Sequence, residues 1–355
     1  MVYYTADEED IQKLRSWIGC GFAGQSESQS QSSTLNQRDF AKCKQHHLEG
    51  TCKWLFDHPK YERWVNADDA KPVLWLTAAE GRGKSVLCSL AVQHISNKKN
   101  TKSAAPYLML TFKKERSRCQ MITLLASQLL DHVLRSDVHG AVDKKALSLL
   151  SKDGTNLDNL HELVRLLVRQ CPEVYFFVDG LNELYMVDAA LSERRKYEFE
   201  SLHEDLRATL EFLVSLTTES NSTKTRLWCS SQKKEPMVQW MEAFDVEELT
   251  LSEVDVQSDV STYISRIKTN VLERLDESER PLAELLLRTG AESSFRWAAM
   301  MADSLKNCKT TEQLRKALNR GLPKDLSSFY QRHLEDMLGL DEIESCGDDD
   351  LSLSR

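Results

Sequence analysis

No stretch of this chain approaches the roughly 18 consecutive apolar residues that a membrane-spanning helix needs. Its first residues, MVYYTADEED, have neither the basic nor the apolar region of a signal peptide, so a cytoplasmic protein is expected. Positive charge is in deficit, with 46 Lys and Arg against 55 Asp and Glu and a formal net charge of −9. A surface of that sign repels phosphate polymers and acidic membranes, which argues against nucleic-acid partners. The basic pairs Lys98-Lys99 and Lys113-Lys114 read as solvated loop edges. Nine cysteines are present, but they form no CxxC pair and keep no regular spacing, so reduced thiols are expected. Cys43, His46, His47 and Cys52 lie near one another in sequence, yet their spacing matches no common zinc module and ordinary packing is expected. Nor is there an internal repeat of roughly 20 to 50 residues, which excludes a solenoid or propeller.

What is present is enough for two or three compact units: 355 residues, 41% of them hydrophobic. Residues 1–23 hold a short helical segment, DEEDIQKLRSWIGC, too small to be a domain of its own. The Ser/Gln-rich tract at 24–37 reads as a flexible linker. From 38 to 255, apolar strand patterns at Val73–Thr77, Tyr107–Phe112, Val174–Val178, Arg226–Cys229 and Glu248–Leu251 alternate with helical ones. The near-continuous apolar run VYFFV is typical of a strand buried on both faces of a parallel sheet. That order predicts an α/β domain of about five mostly parallel strands in three layers. Residues 256–338 carry only helical periodicity and are expected to form a helical subdomain, followed by an acidic, disordered tail at 339–355.

Behind the first strand stands AAEGRGKS, residues 78–85, and then an amphipathic helix marked by Leu87, Leu90, Ala91 and Ile95. A strand, a glycine-bearing turn and a helix opening on Gly-Lys-Ser form the arrangement that cradles nucleotide phosphates. Gly81 and Gly83 lack a Cβ, so the backbone can bend and aim successive N–H groups at phosphate oxygens, where helix partial charge collects. Ala78, Ala79, Glu80, Gly81, Arg82, Gly83, Lys84 and Ser85 are therefore the expected binding loop. Lys84 is assigned to the β and γ phosphates and the Ser85 hydroxyl to a Mg²⁺ shell. Ala78 replaces the usual first glycine and is acceptable wherever φ stays negative.

The VYFFV strand ends in Asp179-Gly180-Leu181-Asn182-Glu183. A carboxylate at the C-terminal edge of a buried parallel strand lies where open α/β sheets bind ligands, so Asp179 is assigned to Mg²⁺, through water. Glu183 is assigned as the group that would polarise a water for attack on the γ phosphate.

VYFFVDGLNEL resembles the extended metal-binding motif of the NACHT class of STAND P-loop NTPases. HLEGTCKWLFDHPKYERWV, ahead of the loop, is similar to the segment that introduces the nephrocystin-type NACHT domain of filamentous fungi. RLWCSSQKKEP looks like the family's sensor strand, and SFRWAAMMADSL with LPKDLSSFYQRHL resembles its helical region. Three positions depart from the pattern. Asn182 stands where an acidic pair is usual, Gln232 where the sensor arginine is expected, and Arg82 where a small residue is common. The first loses one carboxylate near the metal, the second implies weaker γ-phosphate sensing and transition-state charge stabilisation, and the Arg82 guanidinium either compensates in part or, as is favoured, faces solvent.

The resemblance implies a signalling switch that binds ATP, GTP or the diphosphate with Mg²⁺, hydrolyses slowly or not at all, and controls self-association or partner binding. A non-hydrolysing nucleotide-binding scaffold and a P-loop phosphoryl-transfer enzyme are the two alternatives. Neither a winged-helix unit nor a repeat sensor is read after the helical region, which fits a truncated product or a stand-alone regulator.

Overall fold

Apolar runs bounded by turn residues form the centre of the protein, seen in a computed structural model. It describes residues 7–19, 29–98, 103–110, 117–135, 142, 144–151, 156–185, 193–219, 223–323, 328 and 331. The expected tail at 339–355 and the end of the second expected strand, 111–112, lie outside these. In chain order the helices and strands are α1 (Glu8–Gly19), α2 (Gln29–Gln45), α3 (Trp54–Asp57), α4 (Pro59–Asn66), β1 (Val73–Thr77), α5 (Lys84–Ser96), β2 (Tyr107–Met109) and α6 (Arg118–Arg135). Next come α7 (Lys144–Ser148), α8 (Leu157–Val168), β3 (Glu173–Asp179), α9 (Glu193–Thr218), β4 (Lys224–Ser231), α10 (Met237–Glu242) and β5 (Val246–Thr250). Beyond β5 the described residues form α11 (Glu253–Val271), α12 (Arg280–Ala291), α13 (Phe295–Asn307) and α14 (Thr311–Asn319).

The five strands make one sheet in the order β2-β3-β4-β1-β5, and every pairing is parallel. This is the α/β domain of about five parallel strands expected from the alternating pattern. A period of two divides β3 between the faces. Val174, Phe176 and Val178 join a core shared with Leu14 and Ile18 of α1, Met121 and Leu125 of α6, Leu163 of α8 and Leu210 of α9. Tyr175 and Phe177 turn the other way and meet the Trp64 ring edge-on, with centroids 5.4 and 6.2 Å away. Each such buried aromatic contributes about 1.5–3 kcal/mol. The Tyr175 hydroxyl, out of reach of solvent, donates to the Val65 carbonyl at 2.9 Å.

By contact the chain divides into two units, one of residues 1–79 and 84–251, the other of 80–83 and 252–355. Two expectations are corrected. The tract at 24–37, expected to be a linker, contains the start of α2 at Gln29. Tertiary anchoring overrides its polar composition: the Asn36 amide donates to the Tyr107 carbonyl at 3.0 Å, and its oxygen accepts from the Met109 N–H at 2.9 Å. Phe40 stacks on Tyr107 one turn further on. Asn36 thus satisfies backbone groups at the edge of β2, which no described strand covers. The second correction concerns length, since the fourth strand runs over Lys224–Ser231 and the third over Glu173–Asp179, both longer than their apolar runs.

Candidate phosphate-binding site

Three parallel strands end in register, Thr77 of β1 opposite Ser231 of β4 and Asp179 of β3 opposite Ser230. Their C-terminal ends therefore bring together residues about a hundred positions apart in the chain. From Thr77 the chain makes one more sheet contact, the Ala78 N–H donating to the Ser231 carbonyl at 3.3 Å, before it turns. Gly81 and Gly83 take φ of +76° and +86°, the left-handed region that a side chain disfavours, whereas Ala78 keeps a negative φ. Helix α5 then opens at Lys84.

Lys84 folds back over its own loop. Its ammonium donates to the carbonyls of Ala78 and Ala79, 2.9 Å each. Asp179 is 3% exposed; its carboxylate accepts from the Ser230 hydroxyl and is also hydrogen-bonded by Ser85. Burial pushes the Asp179 carboxyl above its ordinary range, against the opposing pull of Ser230, Ser85 and the Lys84 charge. A buried carboxylate whose charge is incompletely offset, touching a serine hydroxyl, is an oxygen donor set suited to a hard cation, so Asp179 and Ser85 fit Mg²⁺. Lys84, Ser85 and Asp179 are thus brought together.

Gly180 comes next with φ of +80°, and a Cβ there would lie 2.6 Å from the Leu110 carbonyl. The tight turn leads into a short 3₁₀ segment, Leu181–Tyr185, which carries Glu183 and leaves it half-buried. Asn182, 8% exposed, accepts from the Gln232 N–H at 2.9 Å and donates to the Glu183 carboxylate at 3.4 Å. The two departures at Asn182 and Gln232, separate in sequence, are therefore one contact, in which the amide pins the chain leaving β4.

Arg82 corrects the expectation that it faces solvent. Its side chain is 17% exposed and pairs with Glu253 at 2.9 Å. Its partner is the first residue of α11, 171 positions away in the chain. Sequence reasoning also passed over several neighbours. Trp75 donates its indole N–H to Ser231 at 2.8 Å. Glu248 of β5 accepts from Thr77 at 3.0 Å and pairs with Lys233 at 2.8 Å. Burial acts to raise the Glu248 carboxyl, but the Lys233 ammonium and the Thr77 and Thr250 hydroxyls outweigh it and hold it below its ordinary range. Cys43 and Cys88 lie close enough to feel Asp179; burial first, and that charge second, push the Cys43 thiol up to about 12. The polar ends of adjacent strands, Thr77, Ser230-Ser231 and Thr250, were the available signal, since polar residues closing an apolar strand mark its functional end.

The family model described as Nephrocystin 3, N-terminal, matches residues 50–232, just over half of the chain and the whole span from Gly50 to Gln232. The chain belongs to the nephrocystin 3 N-terminal family. This nephrocystin-type chain is 22% identical over 366 aligned residues to the vegetative incompatibility protein HET-E-1 of Podospora anserina. The match takes in 98% of the chain but spans only 25% of HET-E-1. Among solved structures, the Walker-type ATPase PABY2304 of Pyrococcus abyssi is similar over 81% of this chain and 74% of its own, at 12% identity and a TM-score of 0.45. The replication initiator DnaA, bound to AMPPCP and single-stranded DNA, is similar over 78% of this chain and 68% of its own, at 10% identity and a TM-score of 0.38. Among the described residues no helix is long and apolar enough to cross a membrane.

Proposed function

We propose that this chain is a nucleotide-binding signalling module of the NACHT type, holding ATP, GTP or the corresponding diphosphate with Mg²⁺. One observation carries the reading: Lys84, Ser85 and Asp179 converge at the C-terminal ends of β1 and β3, with Ser230 holding the carboxylate. The loop N–H groups of Gly81 to Ser85 would receive phosphate oxygens, and Lys84 would exchange its two carbonyl partners for them. Asp179 and Ser85 would hold Mg²⁺, which supplies charge neutralisation of the phosphates when bound. To Glu183 we assign the orienting of a water.

Binding is favoured over turnover, with hydrolysis slow or absent. Asn182 and Gln232 are neutral amides that meet each other, so position 182 adds no carboxylate and position 232 no cation. Likeness to a protein named for vegetative incompatibility supports signalling over metabolism, and nucleotide-dependent self-association or partner binding is the output we assign. The test is to identify the nucleotide that copurifies, and to measure solution mass with and without triphosphate. A bound adenine or guanine nucleotide, lost in Lys84→Ala, is the expected result. Absence of any nucleotide, together with no calorimetric affinity for Mg²⁺-ADP or Mg²⁺-GDP, overturns the proposal.

A further inference from the structure

Within the phosphate loop two charged side chains alternate with the glycines, and each meets an opposite charge. Glu80 pairs with Arg296, and Arg82 pairs with Glu253. All four belong to the second unit, which takes in Glu80–Gly83 together with the helices from Ser252 onward. The backbones meet as well: the Arg296 N–H donates to the Gly81 carbonyl at 3.3 Å. A Cβ on Gly81 would lie 2.6 Å from the Ser294 hydroxyl and 2.9 Å from Arg296 Cβ, so these chains are in close contact. Phe295, between them, is 3.6 Å from where a Gly83 Cβ would stand, and its ring meets Tyr263 of α11 edge-on. The connection delivering Ser294–Arg296 is strained, with Glu292 and Ser293 at φ of +44° and +83° although neither is glycine. Left-handed conformations at two such residues are sustained only where the surroundings determine them.

Glu80 poses a chemical problem once the loop is read as a nucleotide site, and the role given to it below rests on that reading. A carboxylate inside a loop meant for phosphates repels them unless it is neutralised. We infer that Glu80 and Arg296 are positioning residues of the phosphate loop: Arg296 neutralises the Glu80 carboxylate and fixes the Gly81 turn, so that loop affinity depends on how the start of α13 is placed. Both side chains are close to half-exposed, 44% and 47%, so the pair is weak enough in stability terms to break and re-form. When it opens, the Glu80 carboxylate stands uncompensated beside the loop N–H groups and phosphate is disfavoured. The loop thereby reports the state of the helical unit in its own charge.

The experiment is a double-mutant cycle read by calorimetry with Mg²⁺-ADP and Mg²⁺-GDP at low and high salt. Arg296→Gln is expected to weaken binding by about tenfold at low salt, with the loss shrinking as salt screens the exposed carboxylate. Glu80→Gln alone removes the repelling carboxylate and should bind about twofold or more tighter than the unaltered chain at low salt. The combination Glu80→Gln/Arg296→Gln should return to within about threefold of it, which a purely structural role of Arg296 would not produce. Arg296→Lys keeps the charge and should retain affinity to within about threefold even if the glutamine variant folds poorly. Binding by Arg296→Gln within about twofold of the unaltered chain, or no recovery in the double variant, overturns the latch while leaving the nucleotide reading intact. Undiminished binding by Lys84→Ala overturns the nucleotide reading itself, and the latch with it.

Discussion

The two ends of the parallel sheet both carry charge, but they manage it differently. At the N-terminal ends of β1 and β5, Lys60, Arg63, Lys71, Asp69 and Glu247 line a cavity of about 450 Å³. Every cation there has a nearby acceptor: Lys60 pairs with Glu247 at 3.2 Å, Arg63 with Asp69 at 2.9 Å and Lys71 with Asp245 at 3.2 Å. These groups are largely in water, where such pairs contribute little. At the C-terminal ends the carboxylate of Asp179 is buried, a lysine rests on loop carbonyls, and two glycines hold left-handed turns. The first end is a solvated rim. The second holds a buried carboxylate that burial raises above its ordinary range, at the place where nucleotide binding is proposed.

That contrast can be tested by substitution. Gly180→Ala should have the largest effect, about 3 kcal/mol or more of lost stability in denaturant titration, because φ is +80° and the new methyl meets the Leu110 carbonyl. Stability within about 1 kcal/mol of the original would show that this turn is not constrained as described. Lys84→Ala should lower nucleotide affinity by about 100-fold in calorimetry, since the phosphates lose a charge-assisted donor.

Asp179→Asn probes the buried charge through pH. The Asp179 carboxyl is raised in the folded chain, so the fold binds its proton more tightly than the unfolded chain does. Stability from this group is complete below the unfolded carboxyl range and is lost as pH rises through the folded value. The apo asparagine variant should therefore melt higher than the original at about pH 7, with the gap closing toward about pH 4, and should lose the Mg²⁺-dependent part of nucleotide binding. An equal melting difference at both pH values would remove the charge argument. The smallest effect is expected at the opposite end. Lys71→Ala should change stability by no more than about 1 kcal/mol and leave nucleotide affinity unchanged, and an affinity loss there would collapse the distinction between the two ends.

Much of the fold was legible because its signals are local. VLWLT and VYFFV are strands by their continuous apolarity, and Gly81 and Gly83 are turn residues by what they lack. Lys84 and Asp179 could be paired from sequence because each closes or succeeds such a strand. The order of strands could not be read that way, since placing β1 between β4 and β5 depends on crossovers and packing rather than on any residue. The start of α2, from Gln29 to Gln37, is illegible for a related reason: serine and glutamine are weak local signals, and Asn36 becomes informative only when the edge of β2 is beside it. Arg82 was misplaced because its partner, Glu253, is remote in sequence.

Chemistry at single positions and the alternation of strands with helices were therefore determined by the sequence alone. Which residues meet was decided only in three dimensions. Asn182 with Gln232, Ser230 with Asp179 and Glu80 with Arg296 are pairs separated by long stretches of chain, and each forms because parallel strands or packed helices deliver both partners to one place. Local propensity acts over a few residues, whereas these contacts depend on the closure of the whole chain, so no pattern near either partner could announce them.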